Sequence, residues 1–472
     1  MSTITLPPAT GDYAVDRQRH VRALLAALPG EAGKLSWPLE RLHGLRDERL
    51  RSLIRVAKER SPWHARRLRH IDPAILRGDD LSMIPPMTKA DLMDNWDDIV
   101  TDRRLNLDLA YRHLARINEQ GPAYLLDHYH VLMSGGSSAR RGVFVWDFAG
   151  WRDALLALLR PRLWLVRQLP PLAAPRPAML AAALPSHMDV ALVRTVRPAA
   201  VSGVSLPANL PVDTMVRGLN EFGPTELLGY PSILHRLALE AGAGRLRIAP
   251  RVVTCTGEPL LPEARQAIEA AFAVLVLNSY AASEVGNVAH SFPGVPNLHL
   301  TEDTAVYEPV DAQGRPVPAG TASAKLLVTN VVNQALPLIR YELADEVVFL
   351  DEPNPGPWTG RRIAPPSGRL DESFAYAEGV VVHPATFWIP LGRAPKIVEY
   401  QVRQTPGGAD IAVQAADGID LQAIQQEMVH TLRQAGLTQP EVSIATVELL
   451  DRLPATGKLK RFIPLTSEHL RP

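Results

Sequence analysis

The middle of the chain alternates short apolar runs with amphipathic stretches, and few architectures accept that rhythm. Leu227-Leu228-Gly229-Tyr230-Pro231 leads into an amphipathic stretch at 233–241, and the apolar run 251–255 leads into another at 262–272. A third short run, 325–329, ends in Val328-Thr329. Short apolar runs read as buried strands, and the longer amphipathic stretches as helices laid across them. Strand and helix in alternation predict an α/β chain with mostly parallel sheets. Residues 13 to about 105 follow another pattern, with charged and apolar residues mixed at three- and four-residue spacing, the signature of helices. Within them Thr88-Lys89-Ala90-Asp91-Leu92 reads as a helix start, Thr88 capping and Asp91 in the first turn.

Two proline-rich stretches punctuate the chain. The first, 168–177 (QLPPLAAPRP), reads as a surface loop. The second, 351–366, holds five prolines and is followed by Ser367-Gly368-Arg369. Beyond it the pattern is a compact unit of strands at 396–404 and 410–414, a helix at 421–435 and a strand at 442–449. The fold class expected is therefore α/β in two parts. A large N-terminal domain (1–368) of several subdomains would hold mixed and parallel sheets flanked by helices, and a small, mobile α+β domain (369–472) would follow. A chain of 472 residues, 46% of them hydrophobic, can bury cores for both.

Charge narrows the function. Lys+Arg and Asp+Glu each total 50, so nothing pulls this chain onto nucleic acid or an anionic membrane. Only 7 of the basic residues are lysines, and that arginine excess fits GC-rich codon usage better than a binding adaptation. A single cysteine, Cys255, excludes an internal disulfide and a multi-cysteine zinc site. The start, MSTITLPPATGDY, lacks the basic residues and apolar run of a signal peptide, and no stretch approaches the roughly 20 apolar residues of a membrane span. A cytoplasmic protein, monomer or homodimer, is expected.

Five segments carry chemistry. In HVLMSGGSSARRGVFV (130–145), Ser134-Gly135-Gly136-Ser137-Ser138 offers small residues and hydroxyls to phosphate oxygens, with Arg140 and Arg141 supplying charge. Taken alone it reads first as a flexible Gly/Ser turn. Asn278-Ser279-Tyr280-Ala281-Ala282-Ser283-Glu284 presents an aromatic face, a hydroxyl and a carboxylate suited to Mg²⁺ when phosphates complete its shell. ALPLIRYELAD (335–345) ends in Asp345, able to accept hydrogen bonds from ribose hydroxyls. Gly368-Arg369-Leu370-Asp371 lies at the domain boundary, and Pro454-Ala455-Thr456-Gly457-Lys458 is a tight turn presenting a lysine.

In that order the five segments resemble the adenylate-forming superfamily of acyl-CoA synthetases, peptide-synthetase adenylation domains and luciferases. Within it the sequence is most similar to phenylacetate-CoA ligases. The similarity extends to Ser61-Pro62-Trp63-His64, Pro86-Met87-Thr88-Lys89, Leu298-His299-Leu300-Thr301-Glu302-Asp303 and Thr329-Asn330 with Pro337-Leu338-Ile339-Arg340-Tyr341. It runs from about Leu53 to the end.

The resemblance implies roles. Ser134 to Ser138 would wrap the β- and γ-phosphates of ATP, and Thr256-Gly257-Glu258-Pro259 would lie beside the adenine. Tyr280 would stack on the base next to Asn278, Ser283 would bond the α-phosphate, and Glu284 would hold Mg²⁺. Asp345 and Arg369 would contact the ribose. Asp371 would be the hinge, Gly379 would border a tunnel for the thiol substrate, and Lys458 would bridge the substrate carboxylate and α-phosphate. Tyr230, Pro231, Ser232, His187 and Ala281 would shape the acyl pocket around a small or aryl acid. The acceptor would be coenzyme A, or the phosphopantetheine of an acyl or aryl carrier protein.

The sequence also departs from the family pattern. The second glycine of the phosphate loop is Ala139, and the proline and basic residue that usually follow are Arg141-Gly142, so Arg140 and Arg141 are expected to compensate. Alanines stand at 281 and 344 in place of glycines. No cysteine cluster precedes His299, so no zinc is expected and His299 is read as a structural hydrogen-bonding residue. Two other readings stay open here: transfer of the acyl group to an amine, and a degenerate nucleotide-binding scaffold without adenylation activity.

Overall fold

The structure is a computed structural model that describes residues 13–134, 141–168, 175–196, 203–295, 297–352, 356–366, 369, 372–394, 396–415, 418–454 and 456–465. The helical opening is realised as Tyr13–Lys34, Leu39–Arg60, Pro62–Arg67 and shorter helices that follow. Thr88 does cap the helix Lys89–Asp94: its side chain accepts from the Asp91 amide, while Asp91 accepts from the Thr88 amide in return.

A nine-stranded sheet forms the centre, in the order Phe349–Leu350, Arg362–Ile363, Leu298–Leu300, Gly286–His290, Val276–Ala282, Val252–Thr256, Glu226–Gly229, Pro177–Ala181 and Val204–Pro207. The last five are mutually parallel, with helices Pro231–Gly242 and Pro262–Phe272 as crossovers, as the alternation predicts. Elsewhere in this sheet the expectation of parallel strands does not hold. After Ala282 the chain reverses within three residues, too few for a crossover helix, so Gly286–His290 pairs antiparallel and the remaining strands follow suit. That ladder slips register between Tyr280 and Ala281. Such irregularities re-aim side chains beside sites. A separate three-stranded antiparallel sheet joins Ala305–Val310, Lys325–Asn330 and Tyr341–Leu343.

The C-terminal unit has a four-stranded sheet in the order Glu441–Thr446, Gly408–Ala415, Ile397–Thr405, Phe462–Ile463. The helix Leu421–Gln434 is capped by Asp420, whose side chain accepts from the Ala423 amide. A further helix, Ala385–Arg393, escaped sequence reading because Pro390 and Gly392 interrupt its pattern. Phe374, Phe387, Tyr400, Val402, Met428 and Phe462 share a core of their own.

The N-terminal helices share a large apolar core with the rest, Leu24, Leu53 and Ile54 lying in one cluster with Val288 and Leu298, and a group of buried charges joins them as well. Arg160 is fully buried and bonds Glu31 and, at 2.7 Å, Asp303 Oδ2. Lys34 meets both carboxylates at 2.9 Å, and Arg49 donates to the Asp303 carbonyl at 2.8 Å. The guanidinium of Arg160 also stacks 4.1 Å from the centre of the Trp358 ring.

Candidate active site

Parallel strands place ligands at their carboxyl ends, and the register brings the expected residues to one such edge. Gly229 pairs with Cys255, and Thr256 with Ser279, so Tyr230, Gly257 and Tyr280 follow one another across neighbouring strand ends. The turn after Tyr280 is pinned by two side chains. Trp146 Nε1 donates to the Ser283 carbonyl at 3.2 Å, and Asn330 Nδ2 donates to that of Glu284 at 2.9 Å. Asp345 and Arg369 are joined by a backbone bridge, so the third and fourth segments meet there.

Electrostatics link this group. Burial, and then the Asp345 carboxylate, push the Tyr280 phenol well above its ordinary value. Burial also raises Glu284, Asp345 adds to the rise, and Arg369 and Lys89 oppose it. A half-buried carboxylate beside a second one gains from a cation, and a single carboxylate completed by phosphates is how Mg²⁺ is usually held. Glu284 fits that ion.

A loop of the C-terminal unit supplies the lysine. Lys458 Nζ lies 5.4 Å from the centre of the Tyr230 ring, and it acts electrostatically on His187. Gly257 has φ +80°, and a Cβ there would come within 2.8 Å of Tyr230 Cε1 and 3.3 Å of Lys458 Cε, so only glycine leaves the lysine its path. Glu258 holds the loop. Its carboxylate accepts from the Leu459 amide at 2.8 Å and from the Ser232 amide at 3.2 Å. Arg452 adds a bond to Ser232 Oγ at 2.9 Å and an ion pair with Glu399 at 2.9 Å. Burial, with Lys458 and Arg141 assisting and Asp189 opposing, lowers His187 to about 4, which leaves it neutral near pH 7.

The hairpin Tyr129–Met133/Val143–Asp147 carries the expected phosphate loop at its tip. Ser134 closes the loop's base, its amide donating to the Gly142 carbonyl and its Oγ accepting from the Gly142 amide, both at 2.9 Å. Gly135, Gly136, Ser137, Ser138 and Arg140 lie outside the described residues, as does Asp371. Arg141 is exposed, 3.7 Å from the Met133 sulfur. Lys89 was not among the expected site residues, yet it approaches both Glu284 and Gly142, whose Cβ position lies 3.7 Å from Lys89 Cε. Its sequence signals are its place directly after the capping Thr88 and in the family-like stretch Pro86-Met87-Thr88-Lys89.

The other expected residues divide. Thr256 and Asn278 are buried, Asn278 with its amide donating to Ser291 Oγ at 2.7 Å, and Pro259 is exposed. Ala281 is half-buried at the irregular strand end. Pro231 opens its helix, the Ser232 hydroxyl accepts from Arg452, and the Glu258 carboxylate engages the lysine loop. The sequence carries no mark of either engagement, because the partners lie some 200 residues away. Gly379 is exposed with φ +78°, and a Cβ there would meet nothing within 4 Å. His299 Nδ1 lies 3.2 Å from the Trp358 carbonyl, an internal hydrogen bond of the kind read for it.

No family model matches the chain. It is 27% identical to the phenylacetate-coenzyme A ligase of Thermus thermophilus over 384 residues, 77% of this chain and 78% of that protein. The chain is a homologue of this ligase. Among solved structures this ligase homologue superposes on 2-hydroxyisobutyryl-CoA ligase in its postadenylation state, holding an acyl adenylate, with a TM-score of 0.71 at 17% identity. That match covers 99% of this chain and 96% of the other. The same enzyme in its thioesterification state, holding an acyl adenylate and coenzyme A, gives a TM-score of 0.56 over 98% and 94% of the chains, also at 17% identity. No helix among the described residues is long and apolar enough to cross a membrane.

Proposed function

We propose that this chain activates a small carboxylic acid, aryl or otherwise, with ATP and then passes the acyl group to a thiol. That thiol is coenzyme A or the phosphopantetheine of a carrier protein. The observation that carries the reading is the convergence of Lys458 with Tyr230, Gly257 and Tyr280 at one sheet edge, beside Glu284, Asp345 and Arg369. A carboxylate is a poor electrophile, so it first becomes a mixed anhydride with AMP. The acid's oxygen attacks the α-phosphorus, the bond to the β-phosphate breaks, and pyrophosphate leaves. Lys458 neutralises the charge gathered between carboxylate and α-phosphate. Ser283 bonds the α-phosphate, Tyr280 stacks on the base, and Asp345 with Arg369 holds the ribose. Glu284 would hold Mg²⁺, which when bound would supply charge neutralisation on the phosphates. The division into 1–368 and 369–472, with rotation about Asp371, lets the loop withdraw so that the thiol enters past Gly379. Acid-dependent ATP–pyrophosphate exchange tests the first step. Thioester formation with coenzyme A or a pantetheinylated carrier tests the second.

Two further results are expected. Tyr280→Ala removes a stacking face without touching the reacting atoms, so the apparent KM for ATP should rise with a smaller change in kcat. A large kcat loss at constant KM would count against the adenine role. Replacing both Arg140 and Arg141 by alanine should weaken ATP binding and make what remains less sensitive to salt. Normal ATP affinity in the double variant would leave the loop to its backbone and hydroxyl donors.

A further inference from the structure

The register slip between Tyr280 and Ala281 decides which residues the turn beyond it contains. Ser279 pairs with His290 and Tyr280 with Ala289, but Ala281 then pairs with Asn287 and Ala282 with Gly286. Val288 is passed over, and Ser283, Glu284 and Val285 form the turn. An unbroken ladder would instead pair Ala281 with Val288, Ala282 with Asn287 and Ser283 with Gly286. Ser283 would be drawn into the strand, and Glu284 would stand in a two-residue turn. The slip therefore keeps Ser283 out of the ladder.

One buried side chain makes bonds that only the slipped register allows. Asn287 Oδ1 accepts from Ser279 Oγ at 3.1 Å, and its Nδ2 donates to His290 Nδ1 at 2.7 Å. Successive strand residues point to opposite faces. Asn287 and His290, three apart, would therefore turn away from each other in a regular strand. Paired with Ala282, Asn287 would also face away from Ser279. The extra residue, Val288, brings Asn287 round to the face of Ser279 and His290, where both bonds form. On the opposite flank Thr301 donates from its amide to the Val288 carbonyl at 3.0 Å and from its hydroxyl to the Asn287 carbonyl at 2.6 Å. Ser279, His290 and Thr301 are all buried, so removing the Asn287 amide would leave partners that water cannot satisfy. We propose that Asn287 is a positioning residue for adenylation: its amide selects the slipped register that holds Ser283 and Glu284 in the turn. The proposal rests on the adenylation reading above and adds to it a residue that acts from behind the strand.

Asn287→Leu removes both bonds while keeping a side chain of similar size. Acid-dependent pyrophosphate exchange should fall about 10²-fold, the loss expected when a reacting group is displaced by about 1 Å. Ser279→Ala removes one bond and should cost about 3- to 10-fold. The double variants decide, because residues that act through one another lose less together than the product of their separate losses. Ser279→Ala should add nothing to Asn287→Leu, and Asn287→Leu should cost much less in a Ser283→Ala background than in wild type. A purely structural link would lower the folded fraction by a similar factor in every background. If Asn287→Leu does not fold, Ser279→Ala combined with Ser283→Ala makes the same comparison. Unchanged exchange in both single variants, or losses that multiply, overturn the assignment while adenylation stands. Undiminished exchange in Ser283→Ala alone would remove Ser283 from the reaction and the assignment with it. A wild type that exchanges with no aryl or short aliphatic acid overturns adenylation and the assignment together.

Discussion

Lys458→Ala is expected to lower acid-dependent pyrophosphate exchange by about 10²–10³, the typical cost of one preorganised contact with developing charge. The contacts of its loop support that proposed role. Glu258 and Arg452 fix its loop from both sides, and Gly257 leaves the room its side chain crosses. The two half-reactions should nevertheless separate. Once the loop has withdrawn, Lys458 no longer faces the anhydride. The variant should then consume chemically prepared acyl-adenylate with thiol at close to the normal rate. A lysine that merely packs against Tyr230 would leave both steps intact. If both steps collapse together, Lys458 serves one fixed site and the rotation fails.

Arg160→Ala should cost about 3–5 kcal/mol of stability, the usual penalty for removing one partner of a buried ion pair. Arg160 is fully buried between Glu31 and Asp303, and without it Glu31 keeps only Lys34, which Asp303 shares along with the more distant Arg49. Equilibrium unfolding in urea measures the loss, and a change below about 1 kcal/mol would mean that water or Lys34 already satisfies the pair. The cluster also sets a direction with pH. Burial pushes the Asp303 carboxyl up, but Arg160, Lys34 and Arg49 outweigh it and hold the carboxyl well below its usual range. A depressed carboxylate contributes its stability above the unfolded value near 3.9 and loses it as pH falls through the lower folded value. Arg160→Ala should therefore flatten the acid limb of the stability profile as well as lower it.

Some of the site was legible because its signals are local. A capping box needs only Thr88 and Asp91, three residues apart, and strand-then-helix periodicity needs only the side chains of one segment. The turn from Tyr280 to Glu284 stood out only through the ordered resemblance, since its own residues are those of an ordinary strand-to-loop transition and its anchors, Trp146 and Asn330, lie far away in the chain. Ser232 shows the limit. It sits beside Tyr230 in the sequence, yet its hydroxyl turns to Arg452, 220 residues away. For Glu258 the resemblance implies a place in an adenine loop, and it carries no sign that the carboxylate also holds the backbone of Leu459.

The sequence by itself determined the α/β alternation, the order of the chemistry-bearing segments, and the glycines and caps that each turn requires. These follow from steric and hydrogen-bonding preferences that act within a few residues. Only the tertiary structure decided which distant charges meet: Lys458 with Tyr230, Lys89 with Glu284, Arg160 with Asp303, and Asp189 with the Tyr230 hydroxyl. The reason is physical. Periodicity tells a segment which face to bury, but the energy of a buried charge depends on what other segments bring within a few ångströms of it.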